Sequence, residues 1–335
     1  MHSLWINSVL LIGSAIAIYL SCELFVNGVE WLGHRLAVSQ RATGSILAAF
    51  GTALPESVVT FVAVAFGGSM ATKQLGIGAA LGGPLALATI AYATVGIVLL
   101  LARRQLPRTP EMTGDFRNLA RDQAWFLTVF AAKIALGLIA FAWKPWLGIL
   151  FLAAYSLYIR QEMNGSAGDN EGEIEPLTFA PRAAVPGMAI AAIQTLVALG
   201  VIFAASHLFV AQLGALGPAL GIEPQLLALL LSPIATELPE TMNAIIWVRQ
   251  GKYRLALANI SGSMMIQATI PTAFGLFWTP WLLDTPLLLA AAITALAIAV
   301  LYVGLLRQSI SRWLLAAMGL FYLLFAGLLV LLHLP

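Results

Sequence analysis

The sequence predicts an all-α polytopic membrane protein: about ten transmembrane helices in two inverted five-helix repeats, with broken helices 2 and 7. Three observations predict it. Of 335 residues, 60% are apolar and 10% are charged, with a mean hydropathy of +0.91, whereas about a quarter of a soluble chain is charged. Uncharged stretches at 74–102, 255–283, 285–306 and 313–332 are each long enough to cross hydrocarbon as a helix of about 20 residues. A segment of the first half also recurs in the second. This composition excludes a soluble enzyme, a nucleic-acid binder and a disordered scaffold. The net charge of +2 says little about partners, and the single Cys22 excludes an internal disulfide and a cysteine metal cluster.

Residues 1–22 lack the basic start of a signal peptide and read as a retained first span. Charged and Pro/Gly-rich boundaries then give spans near 4–25, 44–66, 75–102, 124–142, 145–160, 184–211, 223–247, 255–278, 284–306 and 312–333. The long polar insert around 160–182 carries Glu162, Asp169, Glu171, Glu173 and Glu175 among Gly and Asn, so a solvated hinge is expected there. The chain divides into a first five-helix repeat at 1–160, an acidic cytoplasmic linker at 161–183 and a second, inverted repeat at 184–335.

Basic residues set the expected orientation. Alternate loops hold Arg35, Arg41, Arg103, Arg104, Arg108, Arg117, Arg121, Arg160, Arg182, Arg249, Lys252, Arg254, Arg307 and Arg312, whereas the opposite side holds Lys73 and Lys144. The positive-inside tendency makes the crowded side cytoplasmic and both termini extracytoplasmic, in the inner (plasma) membrane. Lys133 remains within span 4, where it reads as a snorkelling or helix-paired lysine.

The repeat is explicit. Leu24-Phe25-Val26 recurs as Leu208-Phe209-Val210, and Thr52-Ala53-Leu54-Pro55-Glu56 as Thr236-Glu237-Leu238-Pro239-Glu240, both at an offset of 184. Ala88-Thr89-Ile90 matches Ala268-Thr269-Ile270 at an offset of 180. Five spans per half is an odd number, so the second copy enters the membrane from the opposite face, an architecture found chiefly in secondary transporters.

Glu56 and Glu240 each follow a proline in the middle of an apolar span. An ionisable group there is costly unless it faces a polar cavity, which makes it a functional candidate. Pro55 and Pro239, with Gly51 and Pro233, interrupt the helical ladder and free carbonyls beside each glutamate. Those carbonyls, the two carboxylates and the hydroxyls of Thr52 and Thr236 make an all-oxygen set that suits calcium or sodium. Glu23 and Glu30 read as interfacial or helix-pairing residues. The glycines at 76, 78, 82, 83 and 262 read as close helix packing, with Ser263 a candidate ligand from its repeat position.

These residues resemble the calcium/cation antiporter superfamily, specifically bacterial and archaeal sodium/calcium exchangers. Gly51-Thr52-Ala53-Leu54-Pro55-Glu56 and Thr236-Glu237-Leu238-Pro239-Glu240 are similar to its paired G-T-S-L-P-E motifs, and Leu257-Ala258-Asn259-Ile260-Ser261-Gly262-Ser263 to its G-N-x-x-G-S-N. The resemblance implies ion ligands at Glu56, Glu240, position 87 and Gln267. Leu87 cannot coordinate, however, and the motif serines have become Ala53 and Glu237, so the first half has lost ligands and the second has gained a carboxylate.

The expectation is a secondary active antiporter exchanging calcium for sodium, or calcium for protons, by alternating access at Glu56, Glu240, Thr52, Thr236, Glu237, Ser263 and Gln267. A cation-binding protein that does not transport is the remaining alternative. No cofactor is implied, because Ca2+, Na+ and H+ are substrates. The expected partners are inorganic cations and the lipid bilayer, with no nucleic acid. The enzyme alternative finds no H-E-x-x-H and no G-x-S-x-G in the chain.

Overall fold

A computed structural model of the chain describes residues 2–35, 48–101, 116–164, 175–249, 251, 253–307 and 310–332. The described residues form helices and connecting turns, with no strand among them. In order these are α1 His2–Arg35, α2 Ala48–Phe66, α3 Met70–Ala86, a π-helical turn Leu87–Ala91 and α4 Tyr92–Leu101. Next come α5 Arg117–Gly137, a 3-10 turn Lys144–Leu147 and α6 Gly148–Asn164. The second half holds α7 Met188–Leu220, α8 Pro224–Thr236, α9 Leu238–Arg249, α10 Tyr253–Trp278, α11 Thr285–Leu306 and α12 Arg312–Leu331.

Among the described residues, 5–32, 70–101, 188–220, 285–306 and 312–331 are long and apolar enough to cross a membrane. α2, α8, α9 and α10 are shorter or more polar, and these are the helices that carry the site. Trp5, Ile12, Leu150, Trp313, Leu320 and Leu323 face outward, whereas Glu56, Lys133, Gln194, Thr236 and Gln267 are buried. Apolar outside and polar inside is the distribution that lipid selects.

The two halves pack through each other. α1 lies along α7, α3 along α8, α2 along α10, α4 along α12, and α6 along α10. One apolar cluster unites α1, α2, α7 and α8 around Ile18, Phe25, Val59, Ile202 and Phe209. A larger one joins α3 to α6 with α9 to α12, around Leu85, Tyr92, Phe126, Met264 and Phe325.

The two Pro-Glu spans behave differently, against the expectation that both would be broken. α2 runs as one helix from Ala48 through Pro55 to Phe66. In the second half the helix stops at Thr236, Glu237 takes φ −96° and ψ 1°, and α9 restarts at Leu238. Besides Pro224 at the start of α8, the second span holds two prolines six residues apart. Pro233 sits inside α8, and Pro239 falls in the first turn of α9, where a missing N–H costs least. The first span has Pro55 alone and stays helical through it.

The linker also differs from a purely solvated hinge. α6 continues to Asn164, and the described part after residue 174 is docked. Trp31 Nε1 donates to Glu175 O at 2.9 Å, and the Thr178 N–H donates to Asn27 Oδ1 at 3.0 Å. Gln194 Nε2 donates to Leu24 O at 2.9 Å, while Leu177 is fully buried. Of the five acidic linker residues, Glu162 lies on α6 and Glu175 is docked, while Asp169, Glu171 and Glu173 lie outside the described residues.

Candidate cation site

α2 carries Glu56 into the bundle, where it meets the break between α8 and α9. Thr236 Oγ1 donates to Glu56 Oε2 at 2.6 Å, and Ser232 Oγ, one turn earlier on α8, lies 3.4 Å from the same oxygen. Thr236 Oγ1 is also 3.2 Å from Glu237 Oε1 and 3.0 Å from Ser232 O. From α10, Gln267 Nε2 donates to Glu237 Oε1 at 2.7 Å. One chain of contacts therefore links Glu56 on α2, Thr236 on α8, Glu237 at the break and Gln267 on α10.

The cluster is dry and rich in oxygen. Glu56, Thr236, Glu240, Ser263 and Gln267 are fully buried, and Glu237 is 3% exposed. Glu56 Oε1, Glu237 Oε2 and Gln267 Oε1 are buried without a hydrogen-bond partner. A hydroxyl has one proton to give, so Thr236 cannot serve both carboxylates at once. Oxygens that outnumber their donors are costly in a low-dielectric interior, and a hard cation or a proton removes that cost. The described residues do not form a ready-made cage of three acidic ligands, so a cation here would also draw on neutral oxygens such as Gln267 Oε1.

Among the expected site residues, the structure joins Glu56, Thr236, Glu237 and Gln267 by hydrogen bonds. Glu240 is fully buried on α9, three residues beyond Glu237. Ser263 is buried on α10, one turn before Gln267. The side chain of Thr52 lies outside the described residues. Leu87 is fully buried and opens the π-helical turn.

Two contributors escape a reading by motif. Ser232 precedes the Pro-Glu motif and matches Ala48 in the repeat, so no pairing announces it. Gly83 on α3 presses against the cluster: a Cβ there would lie 2.8 Å from Gln267 Oε1 and 3.0 Å from Glu237 Oε1. The repeat did mark that position, since Gly83 matches Ser263.

Lys133 is buried beside this site. Its Nζ donates to Ala80 O on α3 at 2.7 Å and to Gln267 O on α10 at 3.3 Å. It lies 5.5 Å from the centre of the Phe130 ring and 5.8 Å from that of Trp281, within cation–π range. Of its two expected roles, helix pairing is the one the structure gives; Lys133 does not snorkel. Trp281 adopts φ 48°, uncommon for a bulky residue. It is held there by its Nε1–H donating to Lys133 O at 3.2 Å and by Lys144 Nζ donating to its carbonyl at 2.9 Å. Gly275 makes room, because a Cβ there would collide with the Trp281 ring.

Apolar helices enclosing buried carboxylates define a multi-pass membrane protein with a polar interior. A family model described as sodium/calcium exchanger protein matches residues 6–160 and 190–331, and the chain belongs to that family. The family's members are exchangers rather than enzymes. The chain is 26% identical over 251 residues to an uncharacterised membrane protein of Methanocaldococcus jannaschii, covering 74% of each. Among solved structures it is similar to the H+/Ca2+ exchanger CAX, with a TM-score of 0.77 at 19% identity over 97% of this chain and 82% of that one. It is also similar to the sodium-calcium exchanger NCX_Mj, with a TM-score of 0.62 at 20% identity over 97% and 99% of the two chains. At these identities the likeness is one of fold.

Proposed function

We propose that the protein is a secondary active antiporter that exchanges calcium for a monovalent cation at the Glu56–Glu237–Glu240 cluster by alternating access. The observation that carries this reading is the convergence of Glu56 with Thr236, Glu237 and Gln267 in a buried, oxygen-rich setting. Oxygen ligands with carboxylate charge suit calcium and sodium and disfavour zinc or copper. Competition for the same carboxylates couples the fluxes. An empty, negatively charged site resists exposure to the low-dielectric barrier between open states, whereas a loaded one crosses it.

The reading includes ten spans in two inverted repeats, 1–160 and 184–335, joined by the linker at 161–183, with both termini extracytoplasmic. The packing supports it. Exchanging spans 1–5 for 6–10 turns the contact of α2 with α10 into that of α3 with α8, and the contact of α6 with α10 into that of α4 with α12; all four contacts are present.

Sodium is the counter-ion of the reading. Protons form a second reading, favoured by Glu237, which adds a carboxylate where the repeat partner is Ala53. Calcium flux in proteoliposomes under imposed sodium or pH gradients tests both. Acceleration by an outward sodium gradient supports sodium, acceleration by a pH gradient alone supports protons, and no calcium flux under either removes the transporter reading.

A further inference from the structure

The repeat exposes an asymmetry in the site. Where the second half places Ser232, Glu237, Ser263 and Gln267, the first half has Ala48, Ala53, Gly83 and Leu87 at offsets of 184 or 180. Every polar group of that set is missing from one copy. The first half instead supplies Lys133 on α5, whereas its counterpart span α11 has no Lys, Arg, His, Asp or Glu.

The surroundings of Lys133 Nζ are those of a bound cation. Two backbone carbonyls, Ala80 O at 2.7 Å and Gln267 O at 3.3 Å, accept from it. Phe130 and Trp281 present their rings at 5.5 and 5.8 Å. Its two carbonyls lie on α3 and α10, the same two helices that bring Gly83 and Gln267 to Glu237. A lysine this far from water is costly without such compensation.

We propose that Lys133 is a tethered monovalent cation built into the site, a permanent counter-charge standing in for one exchanged ion. Three carboxylates, Glu56, Glu237 and Glu240, less one ammonium leave two negative charges, which match one divalent ion or two monovalent ones. This rests on the antiport reading and adds the number of ions that reading leaves open. Without the ammonium the same carboxylates would need a third monovalent cation on the return step.

The test is calcium efflux from proteoliposomes against the concentration of the driving monovalent cation, for the parent, Lys133→Met, Lys133→Arg and the charge-balanced pair Lys133→Met with Glu237→Gln. The parent and Lys133→Arg are expected to show a Hill coefficient of about two, since an arginine preserves the charge. Lys133→Met should steepen it by about one, and the charge-balanced pair should return it to the parental value. A lysine that merely pins α3 and α10 to α5 would change rate or folding yield and leave the steepness alone. The proposal is overturned if Lys133→Met keeps the parental coefficient, or if the pair loses one unit of steepness or all transport. Should Lys133→Met fail to fold, the pair alone decides by the same criterion, and failure of both to fold marks the lysine as structural and also overturns it. Absence of calcium exchange in the parent would instead remove the antiport reading.

Discussion

Thr236 on α8 donates its hydroxyl to Glu56 on α2 at 2.6 Å, so a threonine from one Pro-Glu motif bonds the glutamate of the other. The repeated sequence elements thus meet in space. The bond joins a helix of the first half to a helix of the second.

Thr236→Val removes that donor and keeps the shape of the side chain. The proposed site also loses a hydroxyl oxygen that could bind the ion, so apparent calcium affinity should fall about tenfold, about 1.4 kcal/mol. The folded yield should stay near the parent's. Calcium titration of transport rate measures it, and an unchanged affinity would take Thr236 out of the site.

Glu56→Gln and Glu240→Gln keep volume and hydrogen-bonding capacity while removing charge. Each is expected to reduce divalent exchange at least tenfold with folding nearly intact. Transport at the parental rate by either variant would make that glutamate a structural residue.

Gly83→Ala places a methyl 2.8 Å from Gln267 Oε1 and 3.0 Å from Glu237 Oε1. The flexible ends of those two side chains can shift, so the helices should stay packed while calcium affinity falls several-fold. A variant with parental affinity would mean that Gln267 and Glu237 are free to rearrange during ion binding.

Glu237→Ser should weaken calcium transport and flatten its pH dependence. Protons and calcium compete for the carboxylates, so transport should fall as pH falls, and one acid fewer leaves fewer protonation steps in the range. Glu237→Ser with Gln267→Asp returns a carboxylate to the contact seen between those two residues, 2.7 Å in the parent. Partial recovery with stronger sodium dependence is expected. Identical pH profiles for parent, single and double variants would remove Glu237 from the mechanism.

The sequence carried more of the site than of its supports. Pro55-Glu56 and Pro239-Glu240 stand out because carboxylates are rare in apolar spans, and their common offset ties them together. The unequal effect of the prolines was not legible, because a kink depends on the second proline, Pro233, and on how the neighbouring helices re-satisfy the freed groups. Lys133 showed its presence but not its partners, since the carbonyls of Ala80 and Gln267 belong to helices distant in sequence. Trp281 gave no signal at all. Its φ of 48° and its place over Lys133 depend on Lys144, Gly275 and Gly137, which only the folded chain assembles: Leu283 N–H bonds Gly137 O at 2.9 Å in the same turn.

Orientation is tested by thiol labelling in a Cys22-free background. A cysteine at Gln74, exposed on the sparsely charged side, should react with an impermeant reagent in intact cells, and one at Gly168 in the linker should be protected. The reverse pattern would invert the topology and leave the site unchanged.

The central claim is that calcium and a monovalent cation compete for one buried carboxylate cluster. Ion-selective flux in proteoliposomes, with calcium, sodium and pH gradients varied independently, tests it most directly. The account predicts that calcium moves uphill when a sodium or proton gradient is imposed in the opposite direction, and that Glu56→Gln abolishes the movement. Calcium flux that follows only its own gradient, or uphill flux that persists in Glu56→Gln, would contradict it.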